Sequence, residues 1–245
     1  MYINISKNEE KMGQKASEKA SSILSNAIKE KGKAVFVAAT GASQFEFLKY
    51  LTVDKSIDWS KSTMFHLDEY VGLDSNHTAS FRRYLNERII KKVNPGQVYF
   101  IQGDHPKPEE ECGRLSKIIQ NYEIDVAFVG IGENSHLAFN DPPADFNTKK
   151  AFMIVQLDEA CRQQQVNEGW FDRLEDVPAK AITMSIPQIM KARNIICVVP
   201  DQRKALAVKN SLEREISPSY PASILRKHQN LSLFLDKDSA SLIKT

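Results

Sequence analysis

Hydrophobic residues along this chain alternate between helical spacing and short continuous runs. Residues 10–31 place apolar side chains every three or four positions, and Gly32 follows as a helix-ending residue. Further helical patterns cover 45–51, 78–92, 107–121 and a segment that starts near Gln202. Between them lie apolar runs of strand length, at 34–40, 62–69, 97–103, 125–132, 194–200 and 231–236.

This alternation predicts an α/β fold. Strands that are apolar along their whole length need cover on both faces, so we expect a doubly wound, mostly parallel Rossmann-like sheet with helices on both faces. No internal repeat or linker divides the chain, which predicts a single domain over residues 1–245. Residues 144–178 are the least regular part. An insertion of this length is often a lid over a site, and a helical excursion that only packs is the alternative.

Composition narrows the class of partner. The net charge of +2 is too small to indicate a nucleic-acid or membrane partner, although a local positive site could still hold a small anion. Three widely spaced cysteines, Cys112, Cys161 and Cys197, show no zinc-binding spacing and suggest reduced thiols in a cytoplasmic protein. No apolar run approaches the roughly 18 residues of a membrane helix.

Ligands of doubly wound sheets bind beyond the carboxyl ends of the strands, so the residues that follow each predicted strand are the candidates. ATGAS (39–43) follows the first apolar run and offers backbone N–H groups to a phosphate. The alternative is an ordinary turn capped by Ser43, which forms a plausible capping box with Glu46. At the later strand end, Arg203 and Lys204 open a helix, where cations are unfavourable unless an anion lies nearby. The alternative there is a solvated pair.

Two adjacent acids, Asp68 and Glu69, stand where the second apolar run should stop. Successive strand residues point to opposite sides, so only one of them should face a given pocket. An ionised aspartate could act there as a general base, and an acid bonded to a neighbouring turn is the alternative. A metal site built on His66 and Asp68 is disfavoured, because no other histidine or cysteine cluster completes it.

GIGENSHLAFNDPP (130–143) is the most informative stretch, because it places small residues, a histidine and an acid directly after an apolar run. Gly130 and Gly132 allow close backbone approach. His136 supplies an imidazole, a side chain that can both accept and donate a proton, and with the carboxylate of Asp141 it suits proton transfer on sugar oxygens. A loop histidine bonded to backbone is the alternative.

Together these stretches resemble the glucosamine-6-phosphate deaminase (isomerase) family from about residue 34 to 236. HLDEYVGL is similar to the family's MDEYVGL-type motif, and GIGENSHLAFNDP to its GxGxxGHxAFNEP motif. ATGAS and RKALAV resemble its TGGTP phosphate loop and its QKALA lysine segment. The 6-phosphogluconolactonase group is a more distant relative on the same fold, but the tyrosine of DEY and the FNDP ending favour the deaminases.

The resemblance implies conversion of glucosamine 6-phosphate to fructose 6-phosphate with loss of ammonia. Asp68 would move the C2 proton to C1, and His136 would open the pyranose ring by moving a proton between O1 and O5. Asp141 and Asn134 would orient His136. The family usually has glutamate at the first of these two positions. No metal or organic cofactor is expected, because enolisation needs only a positioned base and acids.

For the phosphate, the resemblance implies a cradle of backbone and hydroxyl groups with added positive charge. Its residues would be Thr40, Gly41, Ala42, Ser43, Lys204 and the lid arginine Arg162. A second family arginine, about five residues later, falls near Asn167 and is absent. Ser135 stands where the family has glycine, which restricts the backbone before the histidine.

Two other functions remain open from the sequence: a sugar-phosphate lactone hydrolase that uses His136 to activate water, and a non-catalytic sugar-phosphate sensor. The retained Asp68 and His136 argue against a sensor, as does the lack of a basic helical appendage for DNA. The expected partner is therefore a small amino-sugar phosphate, not a nucleic acid or a membrane. The sequence leaves a homo-oligomer open.

Overall fold

A parallel β-sheet forms the centre of the molecule, for which a computed structural model describes residues 1–244. These residues contribute ten strands: β1 (Tyr2–Ser6), β2 (Ala34–Ala38), β3 (Ser62–His66), β4 (Asp68–Tyr70), β5 (Gln97–Val98), β6 (Val126–Val129), β7 (Phe152–Gln156), β8 (Lys180–Met184), β9 (Asn194–Val199) and β10 (Leu231–Asp236). Seven of them form the central sheet in the order β1-β10-β9-β6-β2-β3-β5, and all neighbours are parallel. The expected mostly parallel α/β fold is confirmed.

Helices cover both faces of this sheet. They are α1 (Glu9–Lys31), α2 (Phe45–Leu51), α3 (Phe81–Leu85), α4 (Lys91–Val93), α5 (Pro108–Ile119), α6 (Glu159–Asn167), α7 (Ile186–Ile189) and α8 (Ala205–Glu213), with a π-helical turn Asn86–Ile90 joining α3 to α4. All of β2 is buried, and its side chains divide between two cores: Phe36 packs with α1 and α2, whereas Val35 and Val37 pack with α5 and α8. This division explains why the strand is apolar along its whole length.

A second, three-stranded antiparallel sheet lies beside the first, in the order β4-β8-β7. The predicted strand 62–69 is therefore wrong as one element. The chain leaves the central sheet at Leu67, whose N–H donates to Ala38 O while its carbonyl accepts from Met184 N of the small sheet. β7 and β8 were not predicted, and β7 lies within the segment 144–178 expected to be least regular.

Two further differences have local causes. The predicted strand 97–103 pairs only at Gln97–Val98, because the N–H of Ile101 donates to the His66 Nε2 atom instead of to a neighbouring strand. β1 was not predicted because it is an edge strand whose residues are mostly exposed, so it lacks a continuous apolar run. The remaining predicted helices and strands lie within a few residues of their observed ends.

Among residues 1–244, none of the helices combines the length and the apolar character that a membrane span requires.

Close packing between α1 and α2 fixes the segment that precedes α2. A Cβ atom at Gly13 would lie 2.7 Å from the Glu46 carbonyl carbon and 2.8 Å from the Phe47 nitrogen, so only glycine allows this approach. The contact sets the position of α2 and of the turn that leads into it from β2.

We predict opposite effects for two glycine substitutions inside helices. Gly13→Ala should lower the free energy of unfolding by about 1–3 kcal/mol, because the added methyl group overpacks the α1–α2 contact. Gly113→Ala is the matched control in α5, where a Cβ meets nothing within 4 Å. It should raise stability by about 0.5–1 kcal/mol through helix propensity alone. Urea denaturation measures both, and a stabilised Gly13→Ala would contradict the packing argument.

Candidate active site

The four candidate strand ends meet in one cleft, which we call the strand-end pocket. The strands concerned, β9, β6, β2 and β3, are consecutive in the central sheet. The pocket is lined by 39–43, Leu67 and Asp68, the loop after β6, the C-terminal part of α6 with Glu168, and Lys204. The pocket lies at the carboxyl edge of the sheet, beside β2. From β2 the chain continues to β3 on one side, whereas β6 lies on the other side of β2. Ligands of doubly wound sheets usually bind at such a point, where the strand order reverses.

The turn after β2 presents its backbone to this pocket. Gly41 has φ of +97°, a conformation that favours glycine, and the space next to its Cα is empty. The capping box of Ser43 with Glu46 is not formed, because a 3₁₀ turn, Ala42–Gln44, precedes α2 and places Ser43 inside the turn. The Ser43 hydroxyl instead accepts a hydrogen bond from Gln44 Nε2 at 3.0 Å. Ser43 lines the pocket, as do Thr40 and Ala42.

Lys204 brings a positive charge to the same end of the pocket. Its side chain is only 6% exposed, and its Nζ lies 3.5 Å from Glu168 Oε1 and 3.8 Å from Glu133 Oε1. Burial lowers the pKa of this ammonium, and the two carboxylates oppose the shift. Arg203 is not among the groups that line the pocket: its guanidinium bonds Asp201 and lies 3.8 Å from Glu133 Oε1, the carboxylate that also faces Lys204.

Of the two adjacent acids, the pocket receives Asp68. Glu69 is fully buried on the other side, where it accepts hydrogen bonds from the Ser80 hydroxyl and from the N–H groups of Phe81 and Arg82. Asp68 is 6% exposed. Burial and the nearby Glu69 carboxylate raise the pKa of Asp68 to about 8. The pKa of the Asp68 carboxyl group therefore lies near neutral pH, which suits a group that transfers protons.

His136 lies in a tight loop after β6. Gly132 N–H donates to the His136 carbonyl at 3.0 Å, and a Cβ at Gly132 would lie 2.2 Å from the His136 Nε2 atom. The imidazole thus packs directly on Gly132. Ser135 adopts φ of +69°, so the residue at the family's glycine position holds the left-handed conformation despite its side chain.

Asn134 and Asp141 lie on the other side of His136. His136 Nδ1 lies 3.2 Å from Asp141 Oδ1, and the His136 N–H donates to Asn134 Oδ1. The Asn134 amide donates to Asp141 at 3.1 Å and to Asp158 at 3.0 Å. Burial opposes ionisation of Asp141, but His136, the Asn134 amide and the Asp158 N–H together hold its pKa below the usual range. Neither Asn134 nor Asp141 lines the pocket itself, so both act on it through His136.

The structure does not bring Arg162 to the pocket. Its Nη2 donates to the carbonyl oxygens of Leu174 at 2.6 Å and Val177 at 3.0 Å, which ties α6 to the segment that follows it. The expected phosphate role of Arg162 is therefore corrected to a structural one, because these carbonyls hold the guanidinium away from the turn 39–43.

Sequence reasoning missed the residues at the C-terminal end of α6 that face the pocket, including Glu168 directly after the helix. Gln164, Gln165 and Glu168 line it, with Gln165 accepting from the Tyr70 hydroxyl at 2.8 Å and Gln164 donating to Glu168 at 2.8 Å. The run QQQ at 163–165 was a usable signal, because three consecutive amides are unusual for a helix that only packs. Asp158 was also missed, although it caps α6 and bonds Asn134.

The pKa of Asp68 predicts a pH dependence of stability. Its folded pKa of about 8 lies above the unfolded value of about 3.9, so between these values the folded state binds more protons and wild-type stability falls as pH rises. Asp68→Asn removes this titration. The free energy of unfolding of Asp68→Asn, relative to that of wild type, should therefore increase by roughly 1 kcal/mol per pH unit from pH 5 to 8.

Urea denaturation at several pH values measures the effect. Asp104→Asn serves as control, because the pKa of Asp104 is lowered and its carboxyl stays ionised across this range. Parallel pH curves for wild type and Asp68→Asn would show that Asp68 titrates normally.

Comparison with known proteins agrees with this geometry. The family described as glucosamine-6-phosphate isomerases/6-phosphogluconolactonase matches residues 7–234. A glucosamine-6-phosphate deaminase from Exiguobacterium sp. (strain AT1b) is 37% identical over 231 residues, which cover 93% of this chain and 89% of that protein. The solved structure of a monomeric glucosamine-6-phosphate deaminase is 29% identical, with a TM-score of 0.90 over 99% of this chain and 100% of that one.

The lactonase branch shares the fold. A 6-phosphogluconolactonase from Trypanosoma brucei is 17% identical and has a TM-score of 0.81 over 99% of this chain and 98% of that one. The match to the family covers most of the sequence, and the residues that carry it surround one pocket. The chain belongs to the glucosamine-6-phosphate isomerase/6-phosphogluconolactonase family.

Proposed function

We propose that this protein is a glucosamine-6-phosphate deaminase, which converts glucosamine 6-phosphate and water to fructose 6-phosphate and ammonia. The observation that carries the proposal is the arrangement of the strand-end pocket. A carboxyl group, Asp68, and an imidazole, His136, line the same cleft as the turn 39–43 and Lys204. The relative from Exiguobacterium, at 37% identity, supports the substrate.

Asp68 works on carbon. As a carboxylate it removes the C2 proton of the open-chain amino sugar, and a proton passes from the substrate ammonium group to O1, which leaves an enolamine. The resulting carboxylic acid then returns the C2 proton to C1. The product of this step is an imine at C2. Water adds to the imine carbon, and the C–N bond then breaks to release ammonia and the ketose. The positive charge of a bound substrate ammonium group would favour the ionised form of the buried Asp68.

His136 works on oxygen. Its Nδ1 faces Asp141, so its Nε2, which packs on Gly132, is the nitrogen on the pocket side. Nε2 moves a proton between O5 and O1 as the pyranose ring opens. Asn134 and Asp141 keep the ring in this orientation, and Gly132 leaves room for it.

The turn 39–43 and Lys204 hold the phosphate at the other end of the sugar. Backbone N–H groups and the hydroxyls of Thr40 and Ser43 supply hydrogen bonds, and the Lys204 ammonium supplies charge. Binding energy gained there fixes C2 against Asp68.

The helix α6 forms the lid of a single domain. It reaches the pocket through Gln164, Gln165 and Glu168, and its Asp158 cap bonds the Asn134 amide. Within the expected segment 144–178, β7 is anchored in the small sheet, so the mobile part is the stretch that contains α6. Because Glu168 also lies near Lys204, a phosphate bound at Lys204 would change the contacts that hold α6.

One assay tests the function. We expect glucosamine 6-phosphate to yield ammonia and fructose 6-phosphate in equal amounts, measured by coupled enzymatic detection of each product. Galactosamine 6-phosphate, tested in parallel, reports selectivity at C4. Hydrolysis of 6-phosphogluconolactone without any ammonia from either amino sugar would instead place the chain with the lactonases.

Asp68 and His136 should differ in the kind of loss that their substitution causes. Asp68→Asn should reduce turnover by at least about 10²–10⁴-fold and abolish exchange of the C2 hydrogen with solvent deuterium. His136→Gln should fail mainly at ring opening, so fructose 6-phosphate supplied with ammonia in the reverse direction should be partly rescued. Proton NMR of C2 exchange in both directions measures this. Exchange at the wild-type rate in Asp68→Asn would assign the carbon base to another residue.

Lys204→Ala should raise KM much more than it lowers kcat, because phosphate is bound equally in the ground and transition states. Inorganic phosphate should compete with substrate in wild type and lose this effect in the variant. Arg203→Ala is the matched control, since its guanidinium is exposed and outside the pocket. Equal KM values for Lys204→Ala and wild type would remove Lys204 from the site.

A further inference from the structure

Three potential metal ligands converge at the edge of the strand-end pocket, where His136 lines the pocket and the other two lie behind it. They are the His136 imidazole, the Asp141 carboxylate and the Cys161 thiol, with one ligand atom from each lying within 4.8 Å of the others. Nitrogen, oxygen and sulfur donors in one cluster form a set that suits Zn²⁺. Cys161 has no part in the proposed reaction, so its position in this cluster calls for its own explanation.

His136 supplies a second observation. Within the described part of the chain its Nδ1 atom has no hydrogen-bond partner, although the atom is buried and the whole residue is only 8% exposed. It lies 3.2 Å from Asp141 Oδ1 without the alignment of a formed hydrogen bond. Buried polar atoms are rarely left unpaired, so an unpaired nitrogen beside a carboxylate, with a thiol in the same cluster, indicates a position for a cation.

The surroundings of the cluster hold its members in place. Cys161 is 1% exposed, and its N–H donates to the Asp158 carboxylate at the start of α6. Asp141 is fixed by the Asn134 amide and by the Asp158 N–H. Such bonds to the ligands orient them for a metal.

An ion can also reach the cluster without crossing the sugar pocket. Asp141 and Asp158 both line a separate groove on the outer surface, together with Pro142, Met153 and Leu157. The two carboxylates give this entry a negative charge, which favours a cation.

We propose that His136, Asp141 and Cys161 form an inhibitory Zn²⁺ site. Tetrahedral zinc has Zn–S of about 2.3 Å and Zn–N of about 2.0 Å, so its ligand atoms lie about 3.5 Å apart. The three side chains therefore need to close by about 1 Å, and a water completes the set. Binding replaces the thiol proton of Cys161, which is released to solvent, so that a Zn–S bond forms and no oxidant or reductant is needed.

The metal would inhibit through the imidazole alone. A zinc ion on Nδ1 prevents His136 from becoming an imidazolium that can return a proton to the sugar, while Nε2 stays on the pocket side. The turn 39–43, Lys204 and Asp68 remain free, so substrate still binds. Zn²⁺ should therefore lower kcat and leave KM nearly unchanged. This kinetic arm rests on the proposed function, whereas metal binding itself does not.

Binding is tested first, in the purified full-length protein. Co²⁺, used as a spectroscopic probe for Zn²⁺, should give cobalt–thiolate charge-transfer absorption at one ion per chain, and Zn²⁺ should displace it. Cys161→Ser should lose this absorption, and Cys112→Ser, at a cysteine outside the cluster, should keep it. Absence of the band in wild type, or its survival in Cys161→Ser, would overturn the site.

Inhibition is tested second. Without metal, Cys161→Ser should retain wild-type activity, and the Zn²⁺ concentration for half-inhibition should rise by at least about tenfold, the effect of a lost contact at a metal site. Cys112→Ser should respond like wild type. If Cys161→Ser folds poorly, Cys161→Ala with thermal melting in the presence and absence of Zn²⁺ replaces it, and only wild type should be stabilised by the metal. Equal inhibition of wild type and both Cys161 variants would show that zinc acts elsewhere. A protein that binds Co²⁺ as expected but has no deaminase activity would refute the proposed function and leave the metal site standing.

Discussion

Burial of the central sheet on both faces is the constraint on which the rest of this structure depends. A strand such as β2 packs Phe36 against one layer of helices and Val35 and Val37 against the other, so its length offers no place for a charged side chain. In these buried strands, charged side chains enter only where the strands end. Because parallel strands all end at the same edge, the groups that follow β2, β3, β6 and β9 collect in one cleft without any of them being close in sequence.

In and around that cleft, the charged groups differ in how many hydrogen bonds and ion pairs they form within the protein. Glu69 is more deeply buried than its neighbour, yet its oxygens accept from three N–H groups and a serine hydroxyl, which gives it a structural part in tying β4 to α3. Asp68 lacks that set of bonds and keeps a high proton affinity. Lys204 stands between two carboxylates that a ligand can replace. The incompletely satisfied groups are the ones with chemistry left to perform.

The sequence predicted the central sheet because its strands are continuous apolar runs, and it predicted Asp68, His136 and Lys204 because they follow those runs directly. It did not predict the small sheet. The strands β7 (FMIVQ) and β8 (KAITM) are only partly apolar. They form a sheet with β4 (DEY), which lies far from them in the sequence, so no local pattern predicts the pairing. Arg162 was misassigned for a related reason: its position on α6 matches a family motif, but the carbonyls that hold its guanidinium lie on a segment whose path only the structure gives. Gln164, Gln165 and Glu168 were missed for the same reason, because the direction in which these side chains point depends on where α6 packs.

The break at Leu67 has a consequence for how the molecule folds. Asp68 belongs not to the central sheet but to a sheet whose other strands come from the second half of the chain, with Asp68 opposite Thr183. Pairing these residues closes a loop of roughly a hundred residues, and contacts between such distant segments form slowly because the entropy of loop closure must be overcome first. The turn 39–43, by contrast, arises within one β–α unit. During synthesis on the ribosome, then, the turn 39–43 can form while the carboxyl group at β4 still lacks its partner strand. Asp68 reaches its final position only after β8 has emerged, and Lys204 joins the cleft later still.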